Sequence, residues 1–107
     1  MGCYGYDRNT SSNIDSLASD STLFLNTYAS SPWTLPSHVS IFTSLNGVHH
    51  QVYYDDEKMS PSLITLADMM RQNNYIYSAF TGGGFVSSVY GFSKGFDSYY
   101  EREGEVF

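Results

Sequence analysis

The sequence predicts an α/β fold in which a partial parallel sheet is flanked by helices. Two β-favouring runs, 21–28 and 75–80, are separated by two helical patterns that begin near Pro36 and Ser60. The predicted order is therefore strand, helix, helix, strand. Because parallel strands need a long and usually helical crossover, this order indicates that the two strands pair in parallel.

The first predicted element is a short helix over the apolar positions from Ile14 to Ala18. The Ser and Asn side chains of the cluster 9–12 can cap its start. A strand is predicted over Ser21 to Tyr28, because Leu23-Phe24-Leu25 is a compact apolar run and the residues after it favour extended backbone.

The next helix is predicted from Pro36 to about Leu45. Proline suits a first helical turn, since its missing N–H would have no partner there, and Val39 and Phe42 recur at helical spacing. Thr34 lies two residues before Pro36, at the predicted helix start. Its hydroxyl can act as a simple N-cap, or it can belong to an anion site at the positive end of the helix dipole.

A further helix is predicted to open at Ser60-Pro61-Ser62, with Ser60 as cap and Pro61 in the first helical position. Its apolar face would consist of Leu63, Leu66, Ala67 and Met70. Asn73-Asn74 should end it, because Asn tolerates the left-handed conformation. A second strand is predicted over Tyr75 to Phe80.

The rest of the chain is predicted to be loop. Gly82-Gly83-Gly84 lacks the spacing of a nucleotide-binding motif and indicates a flexible loop at the carboxyl end of a strand. Such ends line active sites in open α/β sheets. The stretch 85–107 is aromatic, interrupted by glycine and acidic at its end, which is typical of a lid or surface loop.

Composition excludes several classes of partner. The chain has 107 residues, room for one domain or a piece of one, and a formal net charge of −6 with only five Lys and Arg. We therefore expect neither nucleic acid, which needs a basic surface, nor an anionic membrane as a partner. No apolar run is long enough to span a bilayer, and the single Cys3 permits no intrachain disulfide.

The polar segment 46–60 carries two adjacent histidines and an acidic triplet. His49 and His50 have no third ligand at metal-site spacing, so one of them is predicted to be packed for structure. Asp55-Asp56-Glu57 is predicted to form a solvated turn.

Seven segments, in order, form a recognisable pattern: Gly2-Cys3-Tyr4-Gly5-Tyr6, Asn13-Ile14-Asp15-Ser16-Leu17-Ala18, Thr34-Leu35-Pro36-Ser37-His38, Ile41-Phe42-Thr43-Ser44-Leu45, His50-Gln51-Val52, Ser62-Leu63-Ile64-Thr65-Leu66-Ala67 and Gly91-Phe92-Ser93-Lys94-Gly95-Phe96-Asp97. Together they resemble the N-terminal part of the sulfatase family, within the alkaline phosphatase superfamily. The resemblance implies that residues 1–107 are the N-terminal part of a sulfatase-like catalytic domain, with an incomplete alkaline-phosphatase-like fold.

The resemblance also implies the site residues. Thr34-Leu35-Pro36-Ser37-His38 lies over the family's "C/S-x-P-S-R" signature, so Thr34 takes the position of a nucleophile bound to a divalent metal (calcium, magnesium, manganese or zinc in the full-length enzyme). Metal coordination would lower the pKa of an alcohol that is otherwise a poor nucleophile. His38 stands in place of the usual Arg and would hydrogen-bond the nucleophile or the anion; a structural role on the helix is the alternative. The implied substrate is a small-molecule or sugar sulfate ester, or a related phosphate ester.

The sequence departs from the family pattern in three ways. Threonine cannot be oxidised to formylglycine, and "TxPSH" is more similar to superfamily members that use an unmodified threonine on phosphoryl-type groups. The carboxylates that bind metal in the family precede the Gly2 segment or lie far downstream. The "GKWH" Lys and His have no counterpart, since Thr81-Gly82-Gly83-Gly84-Phe85 occupies their region.

These departures lead to two expectations and an alternative. A lone Thr34 cannot hold a hard cation, so we expect the isolated chain to bind no metal and to turn over no substrate. An unpaired sheet edge should promote self-association. The alternative is a non-catalytic remnant or a partner-binding α/β module, which a genuine start at Met1 with no upstream Asp-Asp strand would favour.

Overall fold

The computed structural model describes residues 1–102 of the chain. Its α-helices are α1 (Ser12–Ser19), α2 (Thr34–Thr43), α3 (Gly47–His50) and α4 (Leu66–Gln72), its strands are β1 (Ser78–Thr81) and β2 (Ser98–Glu101), and three short 3-10 helices span Gly2–Tyr4, Gly84–Val86 and Ser88–Tyr90. Within these 102 residues, no helix combines the length and the apolar character needed to cross a membrane.

The sheet is parallel, as predicted, and the fold is α/β, small and incomplete. β1 pairs with β2, and Phe80 lies opposite Tyr100 in the register. The crossover between the strands contains two of the 3-10 helices. The prediction of a parallel pair is therefore confirmed, but one of its two strands is not the predicted one.

The predicted strand over Ser21 to Tyr28 is wrong. The segment forms bends and irregular backbone, and Leu25 is 73% exposed. A strand forms only where a neighbour accepts and donates its backbone hydrogen bonds, and no strand in residues 1–102 pairs with this segment. High β propensity without a pairing partner leaves it irregular.

The prediction that 85–107 is only a lid or surface loop is also wrong in part. Ser98–Glu101 forms β2, the partner of β1, although 103–107 lies outside the described residues. Tyr99 and Tyr100 favour extended backbone, and β1 supplies the edge on which they pair. The predicted strand over Tyr75 to Phe80 is shorter and later than expected, since β1 begins at Ser78.

The hydrophobic core is centred on α2. Leu35 and Val39 are fully buried and pack with Val52, Met59 and Phe92. Partly buried rings, including Trp33, Phe42 and Tyr99, surround this cluster. Because Leu35 and Val39 are four residues apart, they lie on one face of the helix and turn its opposite face outward.

Helix α4 begins later than predicted. Ser60 is not its cap; the N-cap is Thr65, whose hydroxyl accepts a hydrogen bond from the Asp68 N–H (3.1 Å), while the Thr65 N–H donates to Asp68 Oδ2 (2.9 Å). This capping box satisfies donors that Ser60 is too far away to reach. The predicted end is confirmed, with Asn73 as C-cap and Asn74 at φ 62°.

An ion pair ties α4 to the turn before β2. Lys94 Nζ lies 2.9 Å from Asp68 Oδ2 and also donates to the Leu63 carbonyl. Burial acts to raise the pKa of Asp68, but the hydrogen bonds from Thr65 and Lys94 outweigh it, so that pKa is lowered. The carboxylate therefore stays ionised and holds both partners.

Candidate active site

Thr34 is the first residue of α2, and its side chain is exposed. The N-cap position belongs to Trp33, and no side chain caps this helix. The interpretation of Thr34 as an N-cap is therefore wrong. Pro36 has no N–H, and the Ser37 N–H already donates to the Trp33 carbonyl (3.3 Å).

The remaining donors of the first turn are the N–H groups of Thr34 and Leu35. Among residues 1–102, neither donates a hydrogen bond to a protein acceptor. Both groups lie at the positive end of the helix dipole, beside the exposed Thr34 hydroxyl. Because Leu35 is fully buried, the Thr34 N–H is the one of the two donors that an anionic oxygen can reach, next to the exposed Thr34 hydroxyl.

His38 lies one turn after Thr34. Its Nδ1 donates to the Thr34 carbonyl (2.8 Å), because a carbonyl can only accept. The imidazole ring also meets the Phe92 ring edge to face, with centroids 6.4 Å apart. The hydrogen bond selects the tautomer with the proton on Nδ1, in which Nε2 can accept a hydrogen bond.

A cavity of about 330 Å³ lies beside His38. Its walls come from α2, from the carboxyl end of β1 and from the core, and they are His38, Phe42, Ala79, Phe80, Thr81, Gly82, Val86, Phe92 and Tyr99. The loop that begins at Gly82 follows β1 directly, as the sequence predicted. The structure thus brings His38 together with the carboxyl end of a strand, where α/β proteins place their sites.

A second, more open cleft of about 460 Å³ lies on another side of α2. Ser37 and Ser40 contribute to it from the helix and Ser44 from the C-cap position, facing Tyr28 and Asn46. Positions 37 and 40 lie on one helical stripe, whereas 38 and 42 lie on the next stripe. Thr34, at the start of the helix, is placed between the two stripes.

His50 is the packed histidine that the sequence predicted, and it is 4% exposed. The Val52 N–H donates to its Nδ1 (3.0 Å), so Nε2 carries the proton and donates to Ser40 Oγ (3.0 Å). Burial lowers the pKa of His50. The sequence pattern identified a packed histidine but not its link to Ser40.

The predicted acidic turn is present, with Asp55 and Asp56 exposed. Glu57 is the exception, because its carboxylate accepts from the Tyr53 and Tyr54 N–H groups and its pKa is lowered by those bonds. In the described part of the chain, no three His, Cys, Asp or Glu side chains are grouped closely enough to hold a metal ion.

Comparison with known proteins identifies the family. The family model described as Sulfatase matches residues 1–106. The chain belongs to the sulfatase family. No curated protein and no solved structure matched the chain.

Family membership supports a sulfatase-like hydrolase that acts on sulfate esters. Sulfatases are generally metal-dependent, and a hard cation needs several oxygen ligands. Thr34 offers one hydroxyl oxygen, and the described residues group no acidic side chains around it. The residues present therefore do not fit a complete metal site by themselves.

Proposed function

We propose that this sulfatase-family chain carries the nucleophile of a hydrolase that cleaves sulfate esters, or related phosphate esters, with Thr34 at the nucleophile position. One observation carries the proposal: Thr34 is exposed at the start of a ten-residue helix, and its N–H has no protein acceptor among residues 1–102. The substrates would be small-molecule or sugar esters.

The helix start supplies the anion contacts in this proposal. The N–H group of Thr34 would donate to a non-bridging oxygen of the sulfuryl or phosphoryl group. That donor is already oriented by α2, so binding costs little reorganisation. The Thr34 oxygen would then lie beside the sulfur or phosphorus that it attacks.

His38 is proposed as the second site residue. Its Nδ1–H is committed to the Thr34 carbonyl, which fixes the ring next to the nucleophile. Nε2 would donate to the anion when the ring is protonated, or accept the hydroxyl proton when it is neutral. This role replaces the fixed charge that the family's usual Arg would supply.

A divalent cation (calcium, magnesium, manganese or zinc) is part of the proposal because sulfatases are generally metal-dependent. Thr34 would be one of its ligands. The remaining oxygen donors would have to come from groups additional to those that residues 1–102 bring together.

The test is hydrolysis of an aryl sulfate and an aryl phosphate, with each of the four metals added. We expect no turnover from the 107-residue chain alone. With the chain extended in frame by its flanking coding sequence, we expect turnover that Thr34→Ala lowers on the order of 10⁴-fold or more, as loss of a nucleophile does.

The matched control is Thr22→Ala, because Thr22 is also exposed and lies outside both cavities. It should leave turnover unchanged. Hydrolysis that survives Thr34→Ala would refute the nucleophile assignment. Turnover by the 107-residue chain that disappears with Thr34→Ala would support the nucleophile and contradict the expected inactivity of the chain alone.

We also propose that a second copy of the chain covers the outer face of the sheet. Phe80 and Tyr100 stack there with centroids 4.9 Å apart and planes 11° apart, although they are 79% and 56% exposed. Parallel sheets normally have both faces covered, and two-stranded sheets are marginal alone. Light scattering should show a dimer that Phe80→Ser converts to monomer; a monomeric wild-type chain would refute this.

A further inference from the structure

Asn46 and Gly47 lie where α3 begins, in the segment that links α2 to the buried His50. Asn46 is exposed and takes the N-cap position with extended backbone (φ −86°, ψ 169°). Its side chain does not cap the helix. Instead, Asn46 Oδ1 accepts a hydrogen bond from His49 Nδ1 at 2.7 Å.

We propose that Asn46-Gly47, assisted by His49, is a site of spontaneous deamidation. The Gly47 nitrogen attacks Asn46 Cγ, a new N–Cγ bond closes a succinimide ring, and the Gly47 N–H proton is lost. The Cγ–NH₂ bond breaks and ammonia leaves. Water then opens the ring at either carbonyl and yields aspartate or isoaspartate, so the net reaction consumes one water and releases one ammonia.

In the described part of the chain, the attacking nitrogen makes no hydrogen bond that ring closure would have to break. In residues 1–102, the Gly47 N–H donates to no protein acceptor, whereas the His49 and His50 N–H groups both bond the Asn46 carbonyl (3.0 and 3.1 Å). Gly47 has no side chain to hinder its own nitrogen. Helix α3 is one turn of four residues, so the opening that ring closure needs is local and inexpensive.

His49 favours the reaction because it donates a hydrogen bond to the side-chain oxygen of Asn46. A donor on Oδ1 polarises the amide carbonyl and stabilises the negative charge that forms on this oxygen during attack. The imidazole is exposed, so it can be replaced without disturbing the core. The neighbouring His50 is hydrogen-bonded to Ser40.

Deamidation at this position would change the neighbouring structure. The product adds a negative charge to the cleft that Asn46 lines with Ser37, Ser40 and Ser44. Isoaspartate also lengthens the backbone by one methylene before the helix that buries His50. We therefore expect the thermal unfolding midpoint to fall as isoaspartate accumulates.

The experiment is peptide mapping by mass spectrometry of the full chain during incubation at mildly alkaline pH. Other Asn residues of the same chain are internal controls: Asn9-Thr10, Asn13-Ile14, Asn26-Thr27 and Asn74-Tyr75. The mass gain of about 1 Da that marks amide-to-acid conversion should appear at Asn46 roughly tenfold or more faster than at these sites, where side chains crowd the attacking nitrogen.

Two variants complete the test. His49→Ala should slow conversion at Asn46 about threefold to tenfold, as loss of a donor to a developing oxyanion does at an exposed site. Asn46→Ser, which has no side-chain amide but remains a residue type suited to the N-cap position, should show no mass gain at position 46 and no drift of the unfolding midpoint. Conversion at Asn46 no faster than at the controls, or a His49→Ala variant that converts as fast as wild type, would overturn the proposal.

Discussion

The start of α4 offers the sharpest stability test, because sequence and structure place its cap at different residues. Thr65→Val preserves the shape of a side chain that is 1% exposed but removes its hydroxyl. The Asp68 N–H then loses its acceptor at 3.1 Å, and Asp68 Oδ2 loses a donor at 2.9 Å. The carboxylate keeps its bonds from the Thr65 N–H and from Lys94.

We expect Thr65→Val to lower the free energy of unfolding by about 1–2 kcal/mol. This figure combines the loss of the N-cap with the loss of one hydrogen bond to the Asp68 carboxylate, which keeps its other donors. Urea unfolding followed by the fluorescence of Trp33, the single tryptophan, measures it. In a thermal scan, each kcal/mol should lower the midpoint by about 4–8 °C.

Ser60→Ala is the matched control, because Ser60 is exposed and, among residues 1–102, its hydroxyl hydrogen-bonds only the neighbouring Ser62. It should change stability by less than about 0.5 kcal/mol. If Ser60→Ala instead costs more than Thr65→Val, the helix begins where the sequence pattern alone placed it, and the capping-box argument fails.

Three further predictions concern packing and pH. Burial lowers the pKa of His50, so as the pH falls the unfolded chain takes up the proton before the folded chain does. The free energy of unfolding should therefore be at its full value above pH about 6.5 and decline as the pH falls below that value. In a pH series of denaturation midpoints, His50→Gln should flatten this decline. Phe92→Ala should lower the free energy of unfolding by about 3–5 kcal/mol, because the Phe92 ring is fully buried in the core. Phe24 is exposed, so Phe24→Ala should lower it by less than about 0.5 kcal/mol in the same denaturation measurement. Gly95→Ala should lower the free energy of unfolding by more than about 1 kcal/mol. The reason is that Gly95 has φ +87° and an added Cβ would meet the α4 backbone at 2.8 Å. Unchanged stability in calorimetry would contradict this close approach of the turn to α4.

The candidate site was predictable because its signals are local. Pro36 and the apolar spacing after it predict α2, and the structure confirms that helix to within two residues at each end. The family resemblance, which the family model confirms, directed attention to Thr34 and His38. Their nucleophilic and anion-binding roles stay predictions. His38 and Thr34 are four residues apart on one helix, which brings the His38 ring close to the Thr34 carbonyl. This hydrogen bond could therefore have been predicted from the sequence once the helix was predicted.

Contacts between distant residues explain two of the errors, the wrong strand and the missed strand, whereas the misplaced start of α4 is a local error. Leu23-Phe24-Leu25 has the composition of a strand but finds no partner in the described chain. Ser98–Glu101 follows a glycine-rich stretch that predicted a loop, and it forms a strand because it pairs with β1. Ser60 has the chemistry of a cap, yet Thr65 has the Asp three residues later that closes a capping box.

By itself, the sequence determined the α/β class, the position of α2 to within two residues at each end, the end of α4 and membership of the sulfatase family, because each depends on spacing or on motifs within a few residues. Only the tertiary structure decided which segments pair as strands, which histidine is buried against Ser40, and that Thr34 stays exposed rather than capping its helix. Strand pairing and burial depend on contacts with residues that are distant in the sequence, so the residues adjacent to a position do not determine them.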